Sequence, residues 1–240
     1  MEVVLVIVWG FMDVHKLHPK FDLIHERFGD IQKEFRDNLE HIQFGHWYDD
    51  FAHSKSGGVY NPVAAPLYGE MDQEQEQLCM LEQFDDSYEH NGLRTWKNVN
   101  WVPTLTKTLQ EIGITRRASI ASMKPHAKIP LHRDGDPNPP DGILLRGIIG
   151  LDVPVEEGKK CYIMVRDRPK KTWHTREIKN ESVCLFQPNA IHSVINQLNG
   201  WRYVVLFDTV VLFEDYPEVV KSCRTTGCWA NSDYDTLCNK

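Results

Sequence analysis

The order of apolar and polar positions divides the chain into a helical first part and a β-rich second part. In the first part, apolar residues recur at steps of three and four, at Phe21, Ile24, Phe28, Ile31, Phe35, Leu39 and Ile42. This spacing predicts one apolar stripe on a helix, with Gly29 as its weak point. A second helix is predicted over 103–112, because Pro103 stands near its start and Gly113 just past its end. Residues 46–100 have no clear period and are predicted to be mostly loop with short elements.

After residue 114 the pattern changes to short runs rich in Val and Ile that alternate with turn clusters. The runs are RRASIASM, KPHAKIPLH, ILLRGIIGLDV, CYIMVR, TWHTREI, SVCLF, IHSVI and WRYVVLFDTVVLF. Runs of this length and spacing are typical of an antiparallel sandwich or barrel. We therefore predict a mainly β fold with N-terminal helices, whose core is a jelly roll of about eight strands.

No internal repeat, low-complexity tract or long linker divides the chain, which predicts a single domain over 1–240. Its parts are a helical and loop region at 1–113, a β core at 114–215 and a loose tail at 216–240. The first residues, MEVVLVIVWGFM, are apolar. They lack a basic start and are too short to cross a bilayer, which favours a buried strand over a processed or anchoring segment.

Composition and charge exclude several classes of partner. The chain has 240 residues, of which 41% are hydrophobic and 25% charged, as in ordinary globular proteins. Its net charge of −7 argues against nucleic acid or an anionic membrane, because phosphates require clustered positive charge. The six cysteines include no C-x-x-C pair. A zinc knuckle is therefore not expected, and a reduced, cytoplasmic protein is the simplest expectation.

Candidate metal ligands stand where strand-like runs meet turns. His132 and Asp134 form a His-x-Asp sequence at the end of one run, and His192 follows the later turn QPNA. Residues i and i+2 of an extended segment project to the same side, so both can reach one ion. Two imidazoles and one carboxylate on one face of iron(II) leave three positions open, as oxygenases require. The alternative is that His132 and Asp134 are simply polar residues entering a turn.

Arg202 adds a second kind of signal. It lies ten residues after His192, at the start of the very apolar run RYVVLFDTVVLF. An arginine entering such a strand is costly unless it is paired. A bound dicarboxylate would pair it well, because the planar guanidinium donates two hydrogen bonds to a carboxylate. A structural ion pair, or exposure at the strand's edge, is the alternative.

Several spaced stretches resemble one known family. They are PHAKIPLHRD, LLRGIIGLDVP and VCLFQPNAIHSVINQLNGWRYVVLFD. Over these stretches the chain resembles the aspartyl/asparaginyl β-hydroxylases, which are 2-oxoglutarate-dependent oxygenases with a cupin-like double-stranded β-helix. The resemblance implies that His132, Asp134 and His192 bind Fe(II) and are the catalytic centre. It also implies that Arg202 binds 2-oxoglutarate and that O2 is the second cosubstrate.

The match extends to Arg146, which occupies the position of an arginine that the family carries on the strand after the first histidine. We assign Arg146 to carboxylate binding, of cosubstrate or substrate, with a structural ion pair as the equal alternative. The chain also departs from the family. Some members, notably the animal enzymes, lack the carboxylate ligand, whereas this chain has Asp134 at that position. Ile148 stands where some members have a histidine, and Ala121 stands where a serine is expected.

The resemblance implies hydroxylation of an unactivated C–H bond. The substrate would be an Asp or Asn side chain of a peptide, or a small amino acid or carboxylate. Two alternatives stay open. A cupin-like metal enzyme that does not use 2-oxoglutarate would not need Arg202, and a non-catalytic β-sandwich binding module would bind no iron.

Overall fold

The fold is given by a computed structural model of the chain. It describes residues 11, 19–42, 45–46, 62–65, 82–83, 99–114, 117–132, 142–166, 171–212 and 214. Three predictions fall outside these residues: the strand at the apolar start apart from Phe11, the ligand Asp134, and the loose tail at 216–240. The division into one domain with three parts stays a prediction.

The first predicted helix forms but is shorter than the apolar stripe. A 3-10 turn at Pro19–Phe21 leads into α1 (Asp22–Asp37). The helix ends where Asn38 directs both its side-chain amide and its backbone N–H to the carbonyl of Glu34. Asparagine favours such local bonds over continuation of a helix. The stripe therefore finishes in a turn, which still buries Ile42.

The second helix, α2 (Pro103–Ile112), has the predicted bounds. Its C-terminus is closed by Gly113, which adopts the left-handed conformation at φ 84°. Its N-terminus has no side-chain cap of its own. Instead, the carboxylate of Glu34 in α1 accepts hydrogen bonds from the backbone N–H groups of Thr104 (2.9 and 3.0 Å) and Leu105 (3.4 Å). One helix thus caps the other.

Eleven strands form among the described residues. They are β1 (Gly45–His46), β2 (Pro62–Ala65), β3 (Glu82–Gln83), β4 (Arg117–Met123), β5 (Lys128–His132), β6 (Gly142–Asp152), β7 (Cys161–Arg166), β8 (Trp173–Ile178), β9 (Val183–Phe186), β10 (His192–Asn196) and β11 (Arg202–Leu212). The eight runs predicted after residue 114 are β4 to β11, and all eight are confirmed. Before them, the described part of 46–100 contains only short elements, also as predicted.

The strands form two antiparallel sheets. The larger has the order β1-β2-β4-β11-β6-β9, with β3 also paired to β4, and the smaller has the order β5-β10-β7-β8. Apart from β1-β2, β3-β4 and β7-β8, neighbouring strands are not consecutive in the sequence, as in a double-stranded β-helix. The predicted fold class, mainly β with N-terminal helices and a cupin-like jelly roll, is confirmed.

The larger sheet has an apolar core on each face. Along β11, Val205 and Phe207 pack with the helices, whereas Val204 and Leu206 pack with residues of the smaller sheet. Side chains alternate between the faces of a strand, so the even-numbered residues of β11 point into the space between the sheets. We call this space the interior. Among the described residues, no helix has the length and apolar character needed to cross a membrane.

Candidate active site

Two of the predicted metal ligands meet in the structure. His132 is the last residue of β5 and His192 is the first of β10, and antiparallel pairing sets them directly opposite each other. Their ring centroids are 4.1 Å apart. Imidazoles that bind one ion through nitrogens at about 2 Å hold their ring centroids roughly 4.5 to 5 Å apart. The two rings are therefore close enough to be neighbouring ligands of a single metal ion after a small adjustment.

The ring of His192 is held in one orientation. Its Nδ1 lies 2.8 Å from the carbonyl oxygen of Ala190. A carbonyl can only accept, so Nδ1 carries the proton and Nε2 carries the lone pair that a metal requires. The ring also packs against Phe186, with centroids 4.9 Å apart. A metal-binding histidine is commonly fixed by such a bond from its other nitrogen.

The third predicted ligand, Asp134, follows β5 by two residues and lies outside the described residues. Within the part of the chain that the structure describes, no group of three His, Cys, Asp or Glu side chains is placed to hold a metal. The structure thus brings together His132 and His192, and the carboxylate ligand stays a prediction.

Arg202 is the first residue of β11 and points into the interior, where it is 4% exposed. Its Nη2 donates to the sulfur of Met123 at 3.3 Å. Its Nε and Nη1 are buried and have no hydrogen-bond partner among the described residues. Burial lowers the pKa of Arg202, and the neighbouring Cys161 thiol opposes this lowering. A buried guanidinium with two unused donors is costly, so this position suits a carboxylate ligand.

Arg146 has a different environment. Its Nε and Nη2 donate to the two carboxylate oxygens of Asp208, at 2.7 and 2.8 Å. The two residues face each other on β6 and β11, and both are buried. This is the structural ion pair that was the alternative to carboxylate binding. A role for Arg146 in binding cosubstrate or substrate stays a prediction and gains no support from the pair.

Asn196 has more contacts than its place before a turn suggests. It is fully buried, and its Nδ2 donates to the carbonyl oxygens of Lys124 (2.8 Å), Gly200 (3.2 Å) and Met123 (3.3 Å). Its Oδ1 accepts from the backbone N–H of Leu198 at 3.2 Å. One amide thus ties the end of β4 to the hairpin between β10 and β11. That hairpin leads directly into the strand that begins with the buried arginine.

Sequence reasoning missed Asp208 and the two sulfur neighbours of Arg202. A signal for Asp208 was available, because it is the one acidic residue within RYVVLFDTVVLF and stands six residues after Arg202. An even separation along a strand places two residues on one face. No comparable signal marks Met123 and Cys161, which read as ordinary apolar residues of strands.

Comparison with known proteins shows which family the chain belongs to. A sequence profile described as aspartyl/asparaginyl beta-hydroxylase matches residues 88–211, just over half of the chain. The chain belongs to this family. The match includes the paired histidines and both buried arginines of the interior. A search of curated proteins gives no match.

Three solved structures illustrate the similarity that a structure comparison finds. The Schizosaccharomyces pombe Cnp3 cupin domain is 13% identical, with a TM-score of 0.29 over 42% of this chain and 57% of that one. A recombinant oxalate oxidase in complex with glycolate is 10% identical, with a TM-score of 0.30 over 42% and 47%. Drosophila melanogaster CENP-C bound to CAL1 is 5% identical, with a TM-score of 0.29 over 38% and 63%. The chain thus spans less than two thirds of each, and such scores carry no functional argument.

Proposed function

We propose that this protein is a hydroxylase that uses Fe(II) and 2-oxoglutarate. The observation that carries the proposal is Arg202, a buried guanidinium whose Nε and Nη1 have no acceptor among the described residues. It lies in the same interior as the paired imidazoles of His132 and His192. A metal site beside a buried cation suits a ligand that chelates the metal at one end and presents a carboxylate at the other. 2-Oxoglutarate is such a ligand.

The metal would be held by His132, His192 and Asp134. When bound, iron(II) with O2 supplies the oxidising power that insertion of oxygen into an unactivated C–H bond requires. The chain's own contribution is orientation and exclusion of water. The bond from Nδ1 of His192 to Ala190 fixes the tautomer, and the ring of Phe186 packs against that imidazole and shields it from solvent.

Arg202 would bind the distal carboxylate of 2-oxoglutarate. Its Nε and Nη1 have no acceptor among the described residues, and each can donate a charge-assisted hydrogen bond to a carboxylate oxygen. Because the site is buried, each charge-assisted bond is stronger than it would be at the surface. This cation therefore selects a dicarboxylate of suitable length over a monocarboxylic 2-oxo acid.

The substrate would be a peptide or a small molecule that carries a carboxylate, in agreement with the family's description as aspartyl/asparaginyl hydroxylases. Arg146 was the residue expected to attract it. Since Asp208 balances the charge of Arg146, the proposal of an anionic substrate rests on the family and not on this arginine. The identity of the hydroxylated carbon is therefore a question for substrate profiling with amino acids and short peptides.

The proposal is tested by succinate formation from 2-oxoglutarate, with and without added iron(II). Slow turnover without a prime substrate is expected for the wild type. It should be lost in His132→Ala and His192→Ala, while Arg202→Ala should mainly raise the KM for 2-oxoglutarate. Iron binding without succinate formation would favour a cupin-like metal enzyme with another reaction. An unchanged KM in Arg202→Ala would show that this arginine does not bind 2-oxoglutarate. Absence of any metal binding would favour a binding module.

A further inference from the structure

We propose that Cys161 and Met123 are positioning residues for Arg202. Their sulfur atoms hold the guanidinium in place without neutralising its charge. The guanidinium can therefore donate its strong, charge-assisted hydrogen bonds to the carboxylate of the cosubstrate. This inference rests on the proposed function, because it concerns the same 2-oxoglutarate site. It gives a specific task to two residues that the sequence indicates only as apolar members of strands.

The two sulfurs approach the guanidinium from opposite sheets. Met123 ends β4 of the larger sheet and pairs with Arg202 in register, and its sulfur accepts from Nη2 at 3.3 Å. Cys161 begins β7 of the smaller sheet, where it pairs with Asn196. Its thiol is close enough to raise the pKa of Arg202 against the lowering by burial. Both sulfur residues are buried in the core of the interior, and they lie on the two sheets that enclose it.

Neither sulfur neutralises the arginine. A thioether carries no charge and is a weak acceptor. Burial raises the pKa of the Cys161 thiol, and the opposing effect of Arg202 is smaller, so the thiol stays protonated at neutral pH. The guanidinium is thus anchored but keeps its positive charge and two unused donors, Nε and Nη1, among the described residues.

The same interior shows what a structural arginine looks like in this protein. Arg146 meets Asp208, which lies on the same face of β11 as Arg202 and six residues further along. Both arginines are almost fully buried, but among the described residues Arg146 donates to a carboxylate, whereas Arg202 donates to the sulfur of Met123. If Arg202 had a purely structural role, an acidic neighbour would serve it better, as it does for Arg146. The sulfur environment therefore suits an arginine whose carboxylate partner is a ligand.

The decisive experiment places a carboxylate of the protein beside Arg202, where it would compete with the carboxylate of 2-oxoglutarate. Cys161→Asp introduces an acid beside Arg202, and Cys161→Asn is the matched variant of the same shape without the charge. Binding is measured as the shift in Tm, and as Kd by calorimetry, on adding 2-oxoglutarate with Mn(II), which replaces iron and prevents turnover. We expect Cys161→Asp to lose 2-oxoglutarate binding by 100-fold or more, on the order of one buried charge pair. Cys161→Asn should stay within about tenfold of wild type.

The outcomes separate this inference from the proposed function. If the wild type itself shows no 2-oxoglutarate-dependent shift in Tm, the proposed function is wrong. If the wild type binds and Cys161→Asp binds equally well, or if both variants weaken binding equally, the inference is wrong while the proposed function stands. The Tm without ligand shows whether each variant is folded.

Should Cys161→Asp fail to fold, truncations decide the question. Cys161→Ala and Cys184→Ala remove the same atom from two buried thiols of the interior, of which only the first neighbours Arg202. Both should lower the Tm of the unliganded protein. Cys161→Ala, and likewise Met123→Leu, should also weaken 2-oxoglutarate binding by about three- to tenfold, the worth of one hydrogen bond. Cys184→Ala should leave the Kd unchanged. Equal Kd values in all three variants would overturn the inference.

Discussion

Nε and Nη2 of Arg146 donate to the two carboxylate oxygens of Asp208 at 2.7 and 2.8 Å, and each side chain is only 3% exposed. The residues stand directly opposite each other on the longest strands of the larger sheet, β6 and β11. A buried pair of this kind adds little over an apolar pair of the same volume. Breaking it is costly, because one buried charge then loses a hydrogen-bonded partner of opposite charge.

The first prediction follows from this difference between the small net contribution of the pair and the large cost of removing one partner. Asp208→Ala should lower the free energy of unfolding by about 3 to 5 kcal/mol, because Arg146 loses its acceptor in a buried place. The double variant Arg146→Met/Asp208→Ala should lose less than the sum of the single variants Arg146→Met and Asp208→Ala, since it removes both charges. Urea unfolding of the three variants measures the coupling. Losses that add within about 0.5 kcal/mol would show that the two side chains do not stabilise each other.

The second prediction concerns two glycines in opposite environments. At Gly147 in β6, the ring of Phe207 occupies the space that a Cβ would need, so Gly147→Ala should lower the urea midpoint strongly. A second change, Phe207→Leu, should recover part of that loss by making room. Gly29 lies in the middle of α1 with nothing within 4 Å of a Cβ. Gly29→Ala should therefore stabilise the protein by about 0.5 to 1 kcal/mol. A Gly147→Ala variant as stable as wild type would contradict the packing described here.

The strands were predictable from sequence because most of the eight runs are rich in apolar residues and turn residues lie between them. The end of α1 was not, since the apolar stripe continues to Ile42 while the backbone turns at Asn38. The apolar stripe indicates which residues are buried, but it does not fix their backbone conformation. A turn can bury Ile42 as well as a helix can. A local side-chain bond decides where the helix stops.

The residues of the candidate site were predictable from sequence where they stand at the end of a strand-like run or at a fixed separation along the chain. His132 and His192 were found because each precedes or follows a turn beside an apolar run, and the sheet sets them opposite each other. The partner of Arg146 was not found, because the pairing with Asp208 depends on the register between β6 and β11. Alternation along one strand assigns a residue to a face, but it does not say which residue of a distant strand lies beside it.

The third prediction tests the cap of α2. Glu34→Ala removes the carboxylate that accepts from the backbone of Thr104 and Leu105. The helix has no other side-chain cap, so the free energy of unfolding should fall by about 1 to 2 kcal/mol. Asp30→Asn, on the exposed side of α1, is the matched control and should change stability by no more than about 0.5 kcal/mol. Thermal unfolding followed by circular dichroism measures both. Equal effects of the two substitutions would mean that Glu34 does not cap the helix.

The fourth prediction links stability to the cosubstrate site through Asn196. Asn196→Ala leaves the carbonyls of Met123, Lys124 and Gly200 without the amide that joins them, and should lower the free energy of unfolding by about 2 to 4 kcal/mol. Because the same amide fixes the hairpin that leads into Arg202, 2-oxoglutarate binding should weaken as well. Asn199 lies on the exposed part of the same hairpin, and Asn199→Ala serves as the control. Its Kd for 2-oxoglutarate with Mn(II) should equal that of the wild type. If Asn196→Ala lowers the Tm but leaves this Kd unchanged, the hairpin does not position the arginine.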